Sequence, residues 1–221
     1  MKMFITKCFT VLILVFALSS SVKKKPSVLI IGDSISIGYT PFVQNSLEDK
    51  AVVWHNPGNA KFTGNGLNKI DEWIDQGNWD VIQINWGLWD LCYRQPSTND
   101  LGKRDKENGV ITTEISKYTT NLEQLIKRIK KKSDAKIIFV TTTYVPETEA
   151  GRFEEDVKRY NNVAKGIMLK HNIVINDIYE KSIPIHHKYA KAIDDVHYVQ
   201  KGYVELSKLI TNFLEQELQT L

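Results

Sequence analysis

Cysteine is nearly missing from this sequence: Cys8 and Cys92 are the only two in 221 residues. Cys8 falls in an N-terminal leader, so a processed chain would keep Cys92 alone. No intramolecular disulfide can then form, and stability has to come from the apolar core. An excess of charge of either sign is missing too. The formal net charge is +3, which argues against a nucleic-acid partner. No internal repeat and no low-complexity tract is present. The one long apolar run, residues 8–18, is too short to span a bilayer comfortably. No Gly-x-Ser-x-Gly occurs, which excludes the α/β-hydrolase nucleophile elbow. His186-His187 has no cysteine or glutamate pattern beside it, so these histidines read as solvated loop residues, and no metal or organic cofactor is expected.

What is present begins with that leader. Lys2 and Lys7 precede the apolar run, and Ser19-Ser20-Ser21 follow it. A basic start, an apolar middle and small residues at the cut form the layout of a secretory signal peptide. Residues 1–21 are therefore expected to be removed, leaving no stable membrane span and an exported product, periplasmic or secreted. Removal leaves 27 basic against 26 acidic residues. Residues 22–221 are expected to form a single domain, a length sufficient for a sizeable core.

Along that stretch, strand-like and helix-like segments alternate. Segments 28–31, 51–54, 81–85, 137–140 and 173–175 read as strands. Helical spacing appears at 41–47, 66–75, 112–132, 153–170 and 202–218. Residues 95–109 and 182–195 read as loops. Alternation of this kind implies an α/β protein with a parallel five-stranded sheet and helices on both faces.

Gly32-Asp33-Ser34 follows the first strand directly, and Asp194-Asp195-Val196-His197 precedes the last helix. A serine hydroxyl becomes a useful nucleophile at neutral pH only when a histidine takes its proton and an acid fixes that histidine's tautomer. Ser34, His197 and Asp194 fill these roles. Ser34 lies at the C-terminal mouth of a buried strand, where open α/β sheets bind ligands. Ser36 is better placed to be structural, and His55 and His171 look incidental. Glu147, Glu149 and Arg152, in a polar loop after the fourth strand, read as solvated.

Together with a glycine-containing loop after the second strand and Gly87-Leu88-Trp89-Asp90 after the third, these motifs resemble the SGNH, or GDSL, hydrolase family. The resemblance runs from about Val28 to the C-terminal helix. It implies a three-layer α/β/α, flavodoxin-like fold and ester hydrolysis through a serine nucleophile. The family spacing to His197 selects Asp194 over Asp195. The resemblance also implies an oxyanion hole built from the Ser34 amide, a second-motif amide that Gly58 matches most naturally with Ala60 as the alternative, and an asparagine side chain. Trp89 stands at the asparagine's position, and Asn59, Asn85 or the Trp89 indole is left to supply that donor.

Trp86 and Trp89, at the expected rim, would suit a sugar ring. The expectation is thus an exported serine esterase acting on a small acyl ester, acetyl above all, borne by a small ester or an acylated carbohydrate. A carbohydrate-binding relative with weak or no catalysis, and an acyltransferase using the same triad, are the alternatives.

Overall fold

The computed structural model describes residues 24–96 and 102–221. The expected signal peptide, residues 1–21, lies outside them, as do residues 97–101 of the expected 95–109 loop. In chain order the elements are β1 (Ser27–Ile31), α1 (Ser34–Ser46), β2 (Val52–His55), α2 (Thr63–Ile74), β3 (Val81–Ile84), β4 (Tyr93–Arg94), β5 (Val110–Ile111), α3 (Ile115–Lys132), β6 (Lys136–Val140), α4 (Glu154–Lys170), β7 (Val174–Asn176), α5 (Tyr179–Tyr189) and α6 (Gln200–Leu218).

Five strands form one parallel sheet in the order β2-β1-β3-β6-β7. Helices α1, α5 and α6 pack together, as do α2, α3 and α4, giving the three-layer α/β/α arrangement expected from the sequence. The central strands are buried on both faces: Val28 to Ile31 and Val81 to Ile84 have almost no exposed surface. That is why they read as near-continuous apolar runs, broken only by buried Gln83. The order reverses between β1 and β3, and the crevice outside that reversal, at the strands' C-terminal ends, is where Ser34 stands.

Two parts of the sequence reading change. Residues 182–195 are not one loop, because α5 occupies Tyr179–Tyr189 with Pro184 inside it. Pro184 sits mid-helix, where it removes one bond of the backbone ladder, and buried Tyr179, Ser182 and His186 hold the helix against the domain in spite of that loss. Residues 41–46 belong, as expected, to a helix following Ser34, and that helix begins at Ser34 itself. Asp33 caps it, its side chain accepting the Ile35 N–H at 2.9 Å. The short ribbon β4–β5 was not anticipated. No helix of the described residues is long and apolar enough to cross a membrane.

Candidate active site

Ser34 is the first residue of α1, so its backbone N–H has no intrahelical acceptor. Its Oγ stands 2.8 Å from His197 Nε2. On the far side of the ring, Nδ1 stands 2.6 Å from Asp195 Oδ1. A carboxylate only accepts, so Nδ1 carries the hydrogen, and in a neutral imidazole Nε2 is then free to accept the Ser34 proton. Burial pushes the Asp195 carboxyl up, but hydrogen bonds from His197 and the charges of His197 and Arg104 outweigh it and leave the pKa below the ordinary value.

The carboxylate partner is therefore Asp195, and the expectation of Asp194 is corrected. The reason lies in the backbone path. Val196 and Tyr198 are buried, while Asp195 and His197 alternate with them on the open side. Asp195 Oδ1 also accepts the His197 backbone N–H at 3.0 Å, closing a two-residue side-chain turn. Asp194 is exposed and makes no side-chain hydrogen bond among the described residues. His186 is not solvated as expected. It is buried, and its Nε2 lies 2.7 Å from the Asp195 carbonyl, holding this loop from below.

The loop after β2 is tied to the nucleophile turn. Asn56 Oδ1 accepts the Gly32 N–H at 3.0 Å, and the Ala60 N–H donates to the Gly32 carbonyl at 3.0 Å. Asn56 Nδ2 reaches the carbonyls of Pro57 and Gly58 at 3.3 and 3.1 Å. Gly58 adopts φ +68°, a left-handed conformation that favours glycine. Its N–H has no acceptor among the described residues. His55 is not incidental. Its Nδ1 lies 2.8 Å from the Asn56 carbonyl and its Nε2 lies 2.7 Å from Ser36 Oγ. Ser36 Oγ also reaches the Asp33 carbonyl at 2.7 Å. A side chain at Gly32 would come within 2.6 Å of Ser36 Oγ, so only glycine admits this contact.

The remaining rim residues separate. Asn59 uses its carbonyl oxygen on the Lys61 N–H at 2.7 Å, leaving its amide hydrogens without a partner among the described residues. Asn85 commits its amide to the Val140 carbonyl at 2.8 Å. Trp89 is half-buried, with the Arg94 guanidinium 5.0 Å from the ring centroid. Trp86 cannot be a sugar platform: it is 1% exposed, and a Cβ on Gly66 would meet its ring at 2.6 Å. It packs against α2.

Asp90, from the same segment, is buried and accepts the Thr63 N–H and hydroxyl, at 3.0 and 2.6 Å to Oδ1. Burial pushes its carboxyl up to about 7 against those hydrogen bonds. Glu149 and Arg152, expected to be solvated, are buried and paired at 2.8 Å, and Arg152 Nε donates to the Leu88 carbonyl at 2.6 Å.

A cavity of about 600 Å³, lined in part by Tyr144, His187 and Ile193, flanks the loop leading to Asp195 and His197. Another of about 650 Å³, between Pro26, Asp80 and Leu218, lies at the strands' N-terminal ends, away from Ser34. Among the described residues no three His, Cys, Asp or Glu side chains converge as a metal ion would require.

A parallel three-layer sheet carrying a serine at the mouth of its first strand, with a histidine against that hydroxyl, defines a serine hydrolase acting on ester bonds. The chain belongs to the GDSL-like lipase/acylhydrolase family, whose sequence model matches residues 30–204. No curated protein matches its sequence. Among solved structures, the lipase/acylhydrolase from Enterococcus faecalis superposes with TM-score 0.69 at 20% identity, covering 87% of this chain and 96% of that one. The acetyl xylan esterase AlAXEase gives TM-score 0.67 at 16% identity, covering 85% and 99%. An acetylxylan esterase from Geobacillus stearothermophilus gives 0.65 at 19%, covering 85% and 93%.

Proposed function

We propose that this chain is an exported esterase that removes small acyl groups, acetyl above all, from a carbohydrate, with Ser34 as nucleophile, His197 as base and Asp195 as orienting acid. The observation that carries the reading is the continuous contact from Ser34 Oγ through the His197 ring to Asp195, at 2.8 and 2.6 Å. Ser34 Oγ attacks the ester carbonyl as its proton passes to Nε2. The imidazolium so formed is held by Asp195. The carbonyl oxygen becomes an oxyanion facing the unengaged N–H groups of Ser34 and Gly58, with the Asn59 amide as a further donor. Collapse expels the sugar hydroxyl, which takes the proton back from Nε2. Water then attacks the acyl-serine by the same route, releasing the acid and free Ser34.

Support for the acetyl-carbohydrate substrate comes from the two acetyl xylan esterases among the structural neighbours. The half-buried Trp89 and the cavity beside Tyr144 and His187 add aromatic surface near the site. Support for export is the leader at residues 1–21.

The test is labelling with a serine-directed fluorophosphonate, run beside acetate release from acetylated xylo-oligosaccharides. Wild type labels and releases acetate; Ser34→Ala does neither while keeping its circular dichroism. Retained turnover in a folded Ser34→Ala protein overturns the mechanism. N-terminal sequencing of natively produced protein tests export: the chain should begin between residues 20 and 22, and an intact Met1 in a soluble cytoplasmic pool overturns it.

A second reading has one specific observation behind it. Asn85 is committed to Val140, and Trp89 replaces the family's asparagine, so the oxyanion site lacks that side-chain donor. A carbohydrate-binding relative with little catalysis would bind acetylated oligosaccharides yet resist the fluorophosphonate.

A further inference from the structure

Among the described residues, one cation of the segment after Trp89 is left without a counter-ion. Arg94 ends β4 and lies over the Trp89 ring. Its Nη1 donates to the Gly102 carbonyl at 3.0 Å. Its Nε is buried and has no acceptor among the described residues. No carboxylate among the described residues pairs with it.

The nearby carboxylate is already consumed. Glu149 Oε1 takes both Arg104 at 2.5 Å and Arg152 at 2.8 Å, while Oε2 accepts the Gly151 N–H at 2.7 Å. Burial, together with the charges of Arg152 and Arg104, pulls the Arg94 pKa below its ordinary value, against the pull of Cys92 and Glu149. An arginine so placed is a charge still to be matched.

Its location gives this meaning. Arg94 faces Arg104 across an antiparallel bridge. Arg104 in turn stands close enough to Asp195 to help keep that carboxyl ionised. The Arg94–Trp89 pair is thus one bridge away from an arginine whose charge reaches Asp195. Trp89 belongs to the segment after β3 at the same sheet edge. A planar guanidinium over an aromatic ring, with Nη2 uncommitted among the described residues, suits a planar carboxylate, which pairs with the guanidinium's edge.

We propose that Arg94 and Trp89 form an anion subsite that selects esters whose substrate carries a carboxylate. The inference rests on the esterase reading. The carboxylate has two possible sources: the alcohol side, as in an acylated uronic acid, or the acyl side, as in a half-ester of a dicarboxylic acid.

Two matched pairs of probes separate them. 4-Acetoxybenzoate against its methyl ester places the charge on the alcohol. Mono-4-nitrophenyl glutarate against 4-nitrophenyl butyrate places it on the acyl group. For at least one pair, Arg94→Gln is expected to lower the anionic-to-neutral ratio of kcat/KM by about 10- to 100-fold relative to wild type. The neutral ester should change by less than about threefold, and high salt should shrink the wild-type preference. Arg94→Lys, which keeps the charge but not the fork, should fall between the two. Unchanged ratios for both pairs overturn the subsite. So does an equal loss on neutral and anionic esters, which marks a merely structural role.

A binding measurement keeps the inference apart from catalysis. Titration of Ser34→Ala with benzoate, followed by tryptophan fluorescence, should show saturable binding that the added Arg94→Gln change weakens. If no ester is turned over but this Arg94-dependent binding persists, the esterase reading fails and the subsite stands. If esters are turned over and benzoate binding ignores Arg94, the subsite fails alone.

Discussion

Asp195 Oδ1 receives two hydrogens from one residue, the Nδ1–H and the backbone N–H of His197, at 2.6 and 3.0 Å. The carboxylate thus fixes the ring and the peptide carrying it. Asp195→Asn would present an amide with one acceptor oxygen and free the wrong tautomer of His197. Turnover should fall by about 10³- to 10⁴-fold. Asp194→Asn, at an exposed side chain, should stay within about threefold of wild type. Side-by-side kinetics on one acetyl ester decides the matter. A larger loss for Asp194→Asn would restore the assignment made from family spacing.

His55 braces the oxyanion loop without facing the triad. It joins Ser36 to the Asn56 carbonyl, and Asn56 secures Gly32 and the Gly58 peptide. His55→Ala is expected to lower kcat about 10- to 100-fold with little change in KM, because a donor displaced by a fraction of an ångström fails mainly in the transition state. Ser36→Ala should act in the same direction. The double variant should lose less than the product of the two effects, because both break one contact. Full multiplicativity, or a loss confined to KM, would refute the brace.

Asp90 makes stability depend on pH. Its carboxyl titrates near 7 when folded, against an ordinary value of 3.8. Below about pH 4 both folded and unfolded states hold the proton and the group contributes nothing. As pH rises through 4 to 7 the unfolded chain ionises first, so stability falls, by at most about 1.4 kcal/mol per pH unit. Above about 7 the loss is complete. Asp90→Asn removes this slope. Urea unfolding at pH 5 and pH 8 should show a smaller difference in the variant than in wild type. An equal or larger difference would contradict the assignment.

Among the described residues Glu149 is the sole carboxylate paired with Arg104 and Arg152, and neither Glu149 nor Arg152 is exposed. Removing one partner of a buried pair leaves the other charge stranded, at a cost of about 3–5 kcal/mol. Glu149→Gln should lower the urea midpoint accordingly. A change below about 1 kcal/mol would show that Arg152 finds water or another acceptor.

The sheet was legible because doubly buried parallel strands are mostly apolar, as at Val28 to Ile31 and, but for buried Gln83, at Val81 to Ile84. The start of α1 was not. Ser34-Ile35-Ser36-Ile37-Gly38 is β-branched and glycine-containing, a poor helix former. The Asp33 cap and packing against α6 override that preference. α5 was hidden by Pro184.

At the site, Ser34 and His197 were readable because chemistry restricts the residue types that can do the work. The choice between adjacent aspartates was not, since it depends on which side of the backbone faces the ring. The same limit applies to Trp86, whose identity gives no direction, and to Glu149 and Arg152. Charged residues in a polar loop read as solvated unless their mutual pairing is known.

Ser34 and His197 meet across 163 positions of sequence. Nearly the whole sheet lies between them, and the closing loop must be bridged by β2 through β7 before the two atoms can approach. Closure over so long a segment is entropically costly and comes late in assembly. Recovery of esterase turnover during refolding should therefore lag behind recovery of helical signal, which local segments such as α3 supply early. In this chain, activity is a clock for the last contact made rather than for the first structure formed.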